Sequence, residues 1–181
     1  MIYKVPVHTD YMKEQMDHEP TRSYAEEIYN IVKDFPFDNA LEIGAAWGVS
    51  ALAILDAQDK GTLLSVDKDV TAFGKREVQA VGKWDHRYAL TNESSDHFWA
   101  RNQQTFDLIY IDGSHLYDDV RNDFFEAWKV LNDGGLLIGD DICHPANKTG
   151  EYGVSLAVWE FVKEHNITQL GTTTRLVYFR K

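Results

Sequence analysis

The stretch NALEIGAAWGVSALA, Asn39 to Ala53, is the part of this 181-residue chain whose reading decides the fold. An apolar run ends at Glu42, passes through Gly44 and Gly48, and opens directly into apolar residues at helical spacing. That order predicts a strand, a tight glycine turn and a helix whose free N–H groups face a ligand. Glycine is needed where backbone approaches a ligand closely or takes positive φ, because a Cβ would be in the way. The turn reads Gly44-Ala45-Ala46-Trp47-Gly48, so Ala46 stands where a dinucleotide fingerprint has its middle glycine. This argues against a pyrophosphate. Glu42, two residues before Gly44, suits a cationic ligand group, with a carboxylate bracing the turn as the equal alternative. Trp47 reads as a packing residue.

Upstream, residues 1–20 have no clear period and read as a flexible arm or a cap over a site. From Thr21, a candidate N-cap, residues 21–35 form a helix whose stripe is Tyr24, Ile28, Ile31, Val32 and Phe35. Downstream, a helix over 49–57 leads to a buried strand, TLLSV at 62–66, ending at Asp67. A weaker helix follows over 71–81, then a short strand at 87–90 and a short helix over 94–102, capped by Ser94 or Ser95. FDLIYI, 106–111, is a buried-type strand ending at Asp112. The next helix aligns Val120, Phe124, Ala127 and Leu131. Asp133-Gly134-Gly135 is a turn, and LLIG, 136–139, a strand ending at Asp140-Asp141. A polar loop over 142–152 precedes a helix with Val154, Val158, Phe161 and Val162 on one face. Strands at 167–170 and 175–179 close the chain.

Apolar strands alternating with amphipathic helices predict an α/β fold of Rossmann type: a seven-stranded, mostly parallel sheet with helices on both faces. The short last connection permits only an antiparallel pair, so one strand near the C-terminus runs against the rest. The expected organisation is one domain over 1–181: the arm (1–20), an extra helix (21–35) and a catalytic core (39–181). A 44% hydrophobic, 13% aromatic composition excludes a disordered chain. A net charge of −11 disfavours nucleic acid and anionic membrane as partners. The single cysteine, Cys143, forms no internal disulfide, and no apolar run reaches membrane-spanning length. These features lead us to expect a soluble, cytoplasmic protein.

In such a sheet the ligand sits beyond the carboxyl ends of the strands. Acidic residues stand at four of those ends: Glu42, Asp67, Asp112 and Asp140-Asp141. Asp67 lies 19 residues beyond Gly48, where a carboxylate accepts hydrogen bonds from ribose hydroxyls; an ordinary strand-end turn residue is the alternative. Asp112, Asp140 and Asp141 are the candidate metal ligands, since neighbouring strand ends bring carboxylates together and hard cations such as Mg²⁺ or Ca²⁺ take oxygen donors. A hydrogen-bonded brace is the other reading of Asp140. His115 is the candidate general base, or else a ligand-binding or loop-fixing residue. His144 is a weaker candidate, and His8 and His18 weaker still.

Together these stretches resemble the class I S-adenosylmethionine-dependent methyltransferases. LEIGAAWGVSALAI is similar to their first motif, acidic-x-Gly-x-x-x-Gly. The run FDLIYIDGSHLYDDVRNDFFEAWKVLNDGGLLIGDD, followed by GVSLAVWEFV, resembles a subgroup of small-molecule and sugar O-methyltransferases, similar to the metal-dependent catechol-type enzymes. The resemblance covers residues 39–161. It implies that Glu42, Gly44, Ala45 and Gly48 line the methionine portion of the donor, that Asp67 holds the ribose, and that Asn92, Glu93 and Ser94 lie against adenine. Asp112 would serve both donor and chemistry, and Asp112, Asp140 and Asp141 would hold a divalent cation. The catechol-type enzymes usually carry Asn where Asp141 stands. Ser114 stands where some sugar enzymes have an Asp base, which leaves His115 as the replacement. The expected activity is O-methylation of a small-molecule acceptor, assisted by the divalent cation, with nitrogen as the alternative acceptor. The N-terminal arm, over Thr9–His18, or a homodimer partner would complete the acceptor pocket. A noncatalytic module retaining the fold is the competing class, and a nicotinamide oxidoreductase is disfavoured by Ala46 and by the antiparallel strand.

Overall fold

Seven strands form one sheet in the order β3-β2-β1-β4-β5-β7-β6. The computed structural model describes residues 19–68, 81 and 85–181. The expected arm, apart from Glu19 and Pro20, and the helix expected over 71–81, apart from Val81, lie outside the described residues. In chain order the elements are α1 (Glu19–Val32), β1 (Asn39–Ile43), α2 (Val49–Asp56), β2 (Thr62–Val66), β3 (Tyr88–Thr91), α3 (Ser95–Arg101), β4 (Phe106–Ile111), α4 (Tyr117–Val130), β5 (Leu131–Gly139), α5 (Ala146–Thr149), α6 (Val154–Glu164), β6 (Leu170–Thr172) and β7 (Val177–Arg180). Strands β1 to β5 pair in parallel, and β7 is antiparallel to both β5 and β6. The expected fold class is therefore the observed one.

Several boundaries differ from expectation for local reasons. Helix α1 begins at Glu19, so Thr21 lies inside it rather than at its cap. The last expected strand pair moves towards the C-terminus. The N–H of Ile167 donates to Val162 O at 3.0 Å and Asn166 takes a left-handed φ of 52°, so this segment closes α6 instead of starting a strand. The Asp133-Gly134-Gly135 turn is absorbed into β5 as an irregularity. There the Gly134 N–H donates to Lys181 O at 2.9 Å, and the Lys181 N–H to Gly135 O at 3.1 Å.

Period-two alternation divides the core between the two faces. Ala40, Leu63, Leu108, Tyr110, Leu136 and Ile138 face α1 and α2. Leu41, Ile43, Ile109, Ile111 and Leu137 face the other way, onto Phe124 and Ala127 of α4 and Val158 and Phe161 of α6. Helix α2 is buried from Val49 through Leu55, because the sheet covers one side and α1 the other. Its sequence, VSALAILD, is accordingly apolar all round rather than striped.

The register sets the site. Ile43 pairs with Val66 and Ile111, Val66 with Thr91, and Ile111 with Gly139. The next residues therefore form a row across one edge: Asn92, Asp67, Gly44, Asp112 and Asp140. Backbone bonds continue the ladder into that row, from Gly44 N to Val66 O and from Asp112 N to Ile43 O, both 2.8 Å. A Cβ on Gly44 would lie 2.1 Å from the Asp112 carbonyl oxygen, and its φ is +88°, so only glycine fits.

Candidate active site

A cavity of about 790 Å³ opens over this edge. Of the residues expected to hold the donor, Gly44, Asp67, Glu93, Ser94 and Asp112 line it; of the expected acceptor-side residues, His115 and Asp141 do. Glu42, Ala45, Gly48, Asn92 and Asp140 do not.

The turn is held by the strand-end acid. Asp67 Oδ2 accepts from the N–H groups of Ala45 and Ala46, both at 3.0 Å. Ala46 takes a φ of 37° and Gly48 a φ of 80°, which curls the backbone tightly into α2. Glu42 points elsewhere. Alternation puts its side chain on the α1/α2 face, fully buried, where it accepts from Ser50 Oγ at 2.5 Å and from Ser65 Oγ. Burial pushes its carboxyl up to about 7, against the pull of the two serines. Its observed contacts are those of the bracing carboxylate.

Beside β3, Ser94 caps α3, its Oγ accepting from the His97 N–H at 3.3 Å. Glu93 accepts from Arg101, from His97 and from Thr91 Oγ1 at 2.7 Å. The Arg101 hydrogen bond is the largest influence on its carboxyl and holds it down to about 2.

The far end of the cavity is built from the segments that follow β4 and β5 and from the turn before β7. Asp141 has a left-handed φ of 57°, strained for a residue other than glycine, which turns its carboxylate back over the edge. There Oδ2 meets His115 Nε2 at 2.9 Å and Oδ1 meets Arg175 Nη2 at 3.2 Å. Burial works against ionisation of Asp141, but the His115 hydrogen bond and the Arg175 charge outweigh it and hold its carboxyl below the usual range. Burial, with Asp140 and Asp141 alongside, pushes the Asp112 carboxyl well up. The rings of His115 and His144 both stack on Tyr152, with centroids 4.2 and 4.5 Å from it.

Three residues that sequence reasoning missed organise this end. Arg175 Nε donates to Asp140 Oδ1, and its guanidinium lies 4.4 Å from the centre of the Tyr24 ring. Tyr24 OH lies 2.7 Å from Tyr110 OH and donates to Asp112 Oδ2 at 3.1 Å. Tyr110 OH donates to Asp140 Oδ2 at 2.8 Å. The available signal was the antiparallel strand: its beginning, not its end, reaches the edge where the parallel strands finish. Tyr24 and Tyr110 read only as core residues of a helix and a strand.

The carboxylates expected to hold a metal differ in how they are engaged. Asp140 has both oxygens engaged, by Arg175, by its neighbour's N–H and by Tyr110. The His/Asp/Glu group that converges among the described residues is instead Asp112, His115 and Asp141, with ligand atoms within 4.8 Å of one another.

This sheet order, glycine turn and strand-edge site define a class I methyltransferase fold. The chain belongs to a family described as a methyltransferase domain, which it matches over residues 41–142. No curated protein sequence matches. Among solved structures it is similar to the O-methyltransferase TomG of Streptomyces achromogenes, crystallised with S-adenosylmethionine (TM-score 0.71, 14% identity, covering 98% of this chain and 92% of that one). An O-methyltransferase of Bacillus cereus, in complex with S-adenosylhomocysteine, has a TM-score of 0.69 at 14% identity, with 94% and 86% coverage. The N-methyltransferase NodS of Bradyrhizobium japonicum has a TM-score of 0.67 at 18% identity, with 91% and 98% coverage. Likeness at these identities establishes the fold. It does not choose between oxygen and nitrogen acceptors.

Proposed function

We propose that the chain is an S-adenosylmethionine-dependent methyltransferase acting on a hydroxyl of a small molecule, with Asp67 and the Gly44 turn on the donor side and His115, backed by Asp141, as the base. The observation that carries this reading is the division of one cavity between two chemistries: a carboxylate-braced glycine turn at one end, and a histidine–carboxylate pair at the other. S-adenosylmethionine, when bound, supplies an electrophilic methyl group on a sulfonium. Asp67 can accept the ribose hydroxyls through the carboxylate that already braces the turn, while Glu93 and Ser94 line the side given to adenine. Glu42 acts behind the turn, supporting α2 through Ser50. With Nε2 engaged by Asp141, His115 keeps Nδ1 to take the proton that the acceptor hydroxyl gives up. The chain's part in rate enhancement is alignment and deprotonation. A second copy of the chain would complete the acceptor wall. No described helix is long and apolar enough to cross a membrane, and the exposed, unpaired Cys143 suits a reducing, cytoplasmic setting.

Calorimetric titration with S-adenosylhomocysteine tests the donor half, and transfer of labelled methyl to a panel of hydroxyl and amine acceptors tests the other. His115→Ala should lower turnover by roughly a hundredfold or more while leaving S-adenosylhomocysteine affinity unchanged. Binding without transfer to any acceptor would favour a noncatalytic module, and transfer confined to amines an N-methyltransferase.

A further inference from the structure

The acceptor end of the cavity holds a guanidinium where the resemblance implies a divalent cation. We propose that Arg175 takes over that cation's charge role, so that the methyl transfer read above proceeds without a bound divalent metal; the inference rests on that methyltransferase reading.

The donor atoms are already committed. Asp140 Oδ1 accepts from Arg175 Nε and from the Asp141 N–H at 2.5 Å, and Oδ2 accepts from Tyr110 OH at 2.8 Å. Asp141 gives one oxygen to Arg175 and the other to His115, and Asp112 Oδ2 accepts from Tyr24 OH. Five of the six carboxylate oxygens thus face N–H or O–H donors, which compete with a hard cation for the same lone pairs. The other converging group, Asp112, His115 and Asp141, offers no easier place. A cation there would break the bond that holds the imidazole and would share Asp141 with a guanidinium of like charge.

Arg175 is a built component rather than a loose surface side chain. Thr173 Oγ1 accepts from the Arg175 N–H at 3.2 Å and from the Leu176 N–H at 2.9 Å, shaping the turn before β7. Glu27 of α1 secures that turn, accepting from Thr173 Oγ1 at 2.5 Å and Thr174 Oγ1 at 2.6 Å. Tyr24, one turn earlier on the same helix, supplies the ring beside the guanidinium. The planar fork spans both carboxylates, from Nε to Asp140 and from Nη2 to Asp141, which a point charge would not do. Arg175, Glu27 and Tyr24 all lie outside residues 41–142, the part of the chain that matches the family.

Mn²⁺ binding, followed by electron paramagnetic resonance, tests the substitution on the full chain with and without S-adenosylhomocysteine. The wild type should bind Mn²⁺ no more tightly than about 1 mM, and Arg175→Lys should behave alike. Arg175→Gln, which removes the charge from Asp140 and Asp141, should bind it at least about tenfold more tightly. EDTA should leave wild-type turnover unchanged. Micromolar Mn²⁺ binding by the wild type, or no gain in Arg175→Gln, overturns the proposal. If the Gln variant does not fold, the wild-type and Lys titrations still decide. Tight Mn²⁺ binding alongside intact S-adenosylhomocysteine binding removes only the role of Arg175; absence of S-adenosylhomocysteine binding removes the methyltransferase reading itself.

Discussion

Asp67 and Glu42 are both strand-end acids on adjacent strands, yet their surroundings give them opposite tasks. Asp67 lies one residue past β2, in the cavity wall, and spends one oxygen on two turn N–H groups. Its replacement by alanine removes a charged acceptor and unties the turn. S-adenosylhomocysteine affinity should fall roughly tenfold to a hundredfold by calorimetry, and an unchanged affinity would move the ribose elsewhere. Glu42 is still inside β1, so the pleat aims it into the core. Its carboxyl, pushed up to about 7 in the fold, compares with about 4.5 for an ordinary glutamate. Between those values the native state keeps a proton that the unfolded chain has released. Raising the pH from 4.5 to 7 therefore removes stability, by up to about 3 kcal/mol from this group. Glu42→Gln, which cannot ionise, should lack that loss. Urea unfolding of the two proteins across this range would show the curves diverging; parallel curves would mean that Glu42 does not hold the proton.

The element that changed most between expectation and structure is the turn from β6 to β7. In the sequence it reads as a short connection over 171–174, with Arg175 opening the last strand. In the fold it is a bracket: Glu27 holds the two threonines, and the bracket holds Arg175 over Asp140 and Asp141. Glu27→Ala should therefore cost about 1–3 kcal/mol in urea unfolding, with turnover lowered and S-adenosylhomocysteine affinity kept, because the donor end is built from other elements. Loss of affinity in parallel with turnover would show that the bracket supports the whole edge. Helix α1 was legible as an amphipathic stripe, Tyr24 included, but its function was not. Periodicity reports that Tyr24 faces inward; it does not report that the face meets Arg175 and Asp112 rather than only aliphatic core.

Across the whole molecule, charge and topology act at different ranges. A net charge of −11 sets the long-range field and opposes polyanions at any orientation. Duplex DNA should not be retained in a mobility-shift titration at low salt, with any affinity weaker than about 100 µM, and a salt-sensitive shift would point to a basic face that the composition does not suggest. Topology acts at contact range. The sequence alone determined the parallel α/β sheet with its reversed strand, the glycine turn, and the row of strand-end acids, because these depend on periodicity, on glycine's freedom and on short connection lengths, all local properties. Only the tertiary structure decided which acids face the cavity and which the core, and that β7 enters the edge at its beginning. That second fact puts Arg175 beside Asp140, 35 residues away in the chain. Such a pairing depends on the register and direction of non-adjacent strands, and no local pattern in the chain encodes it.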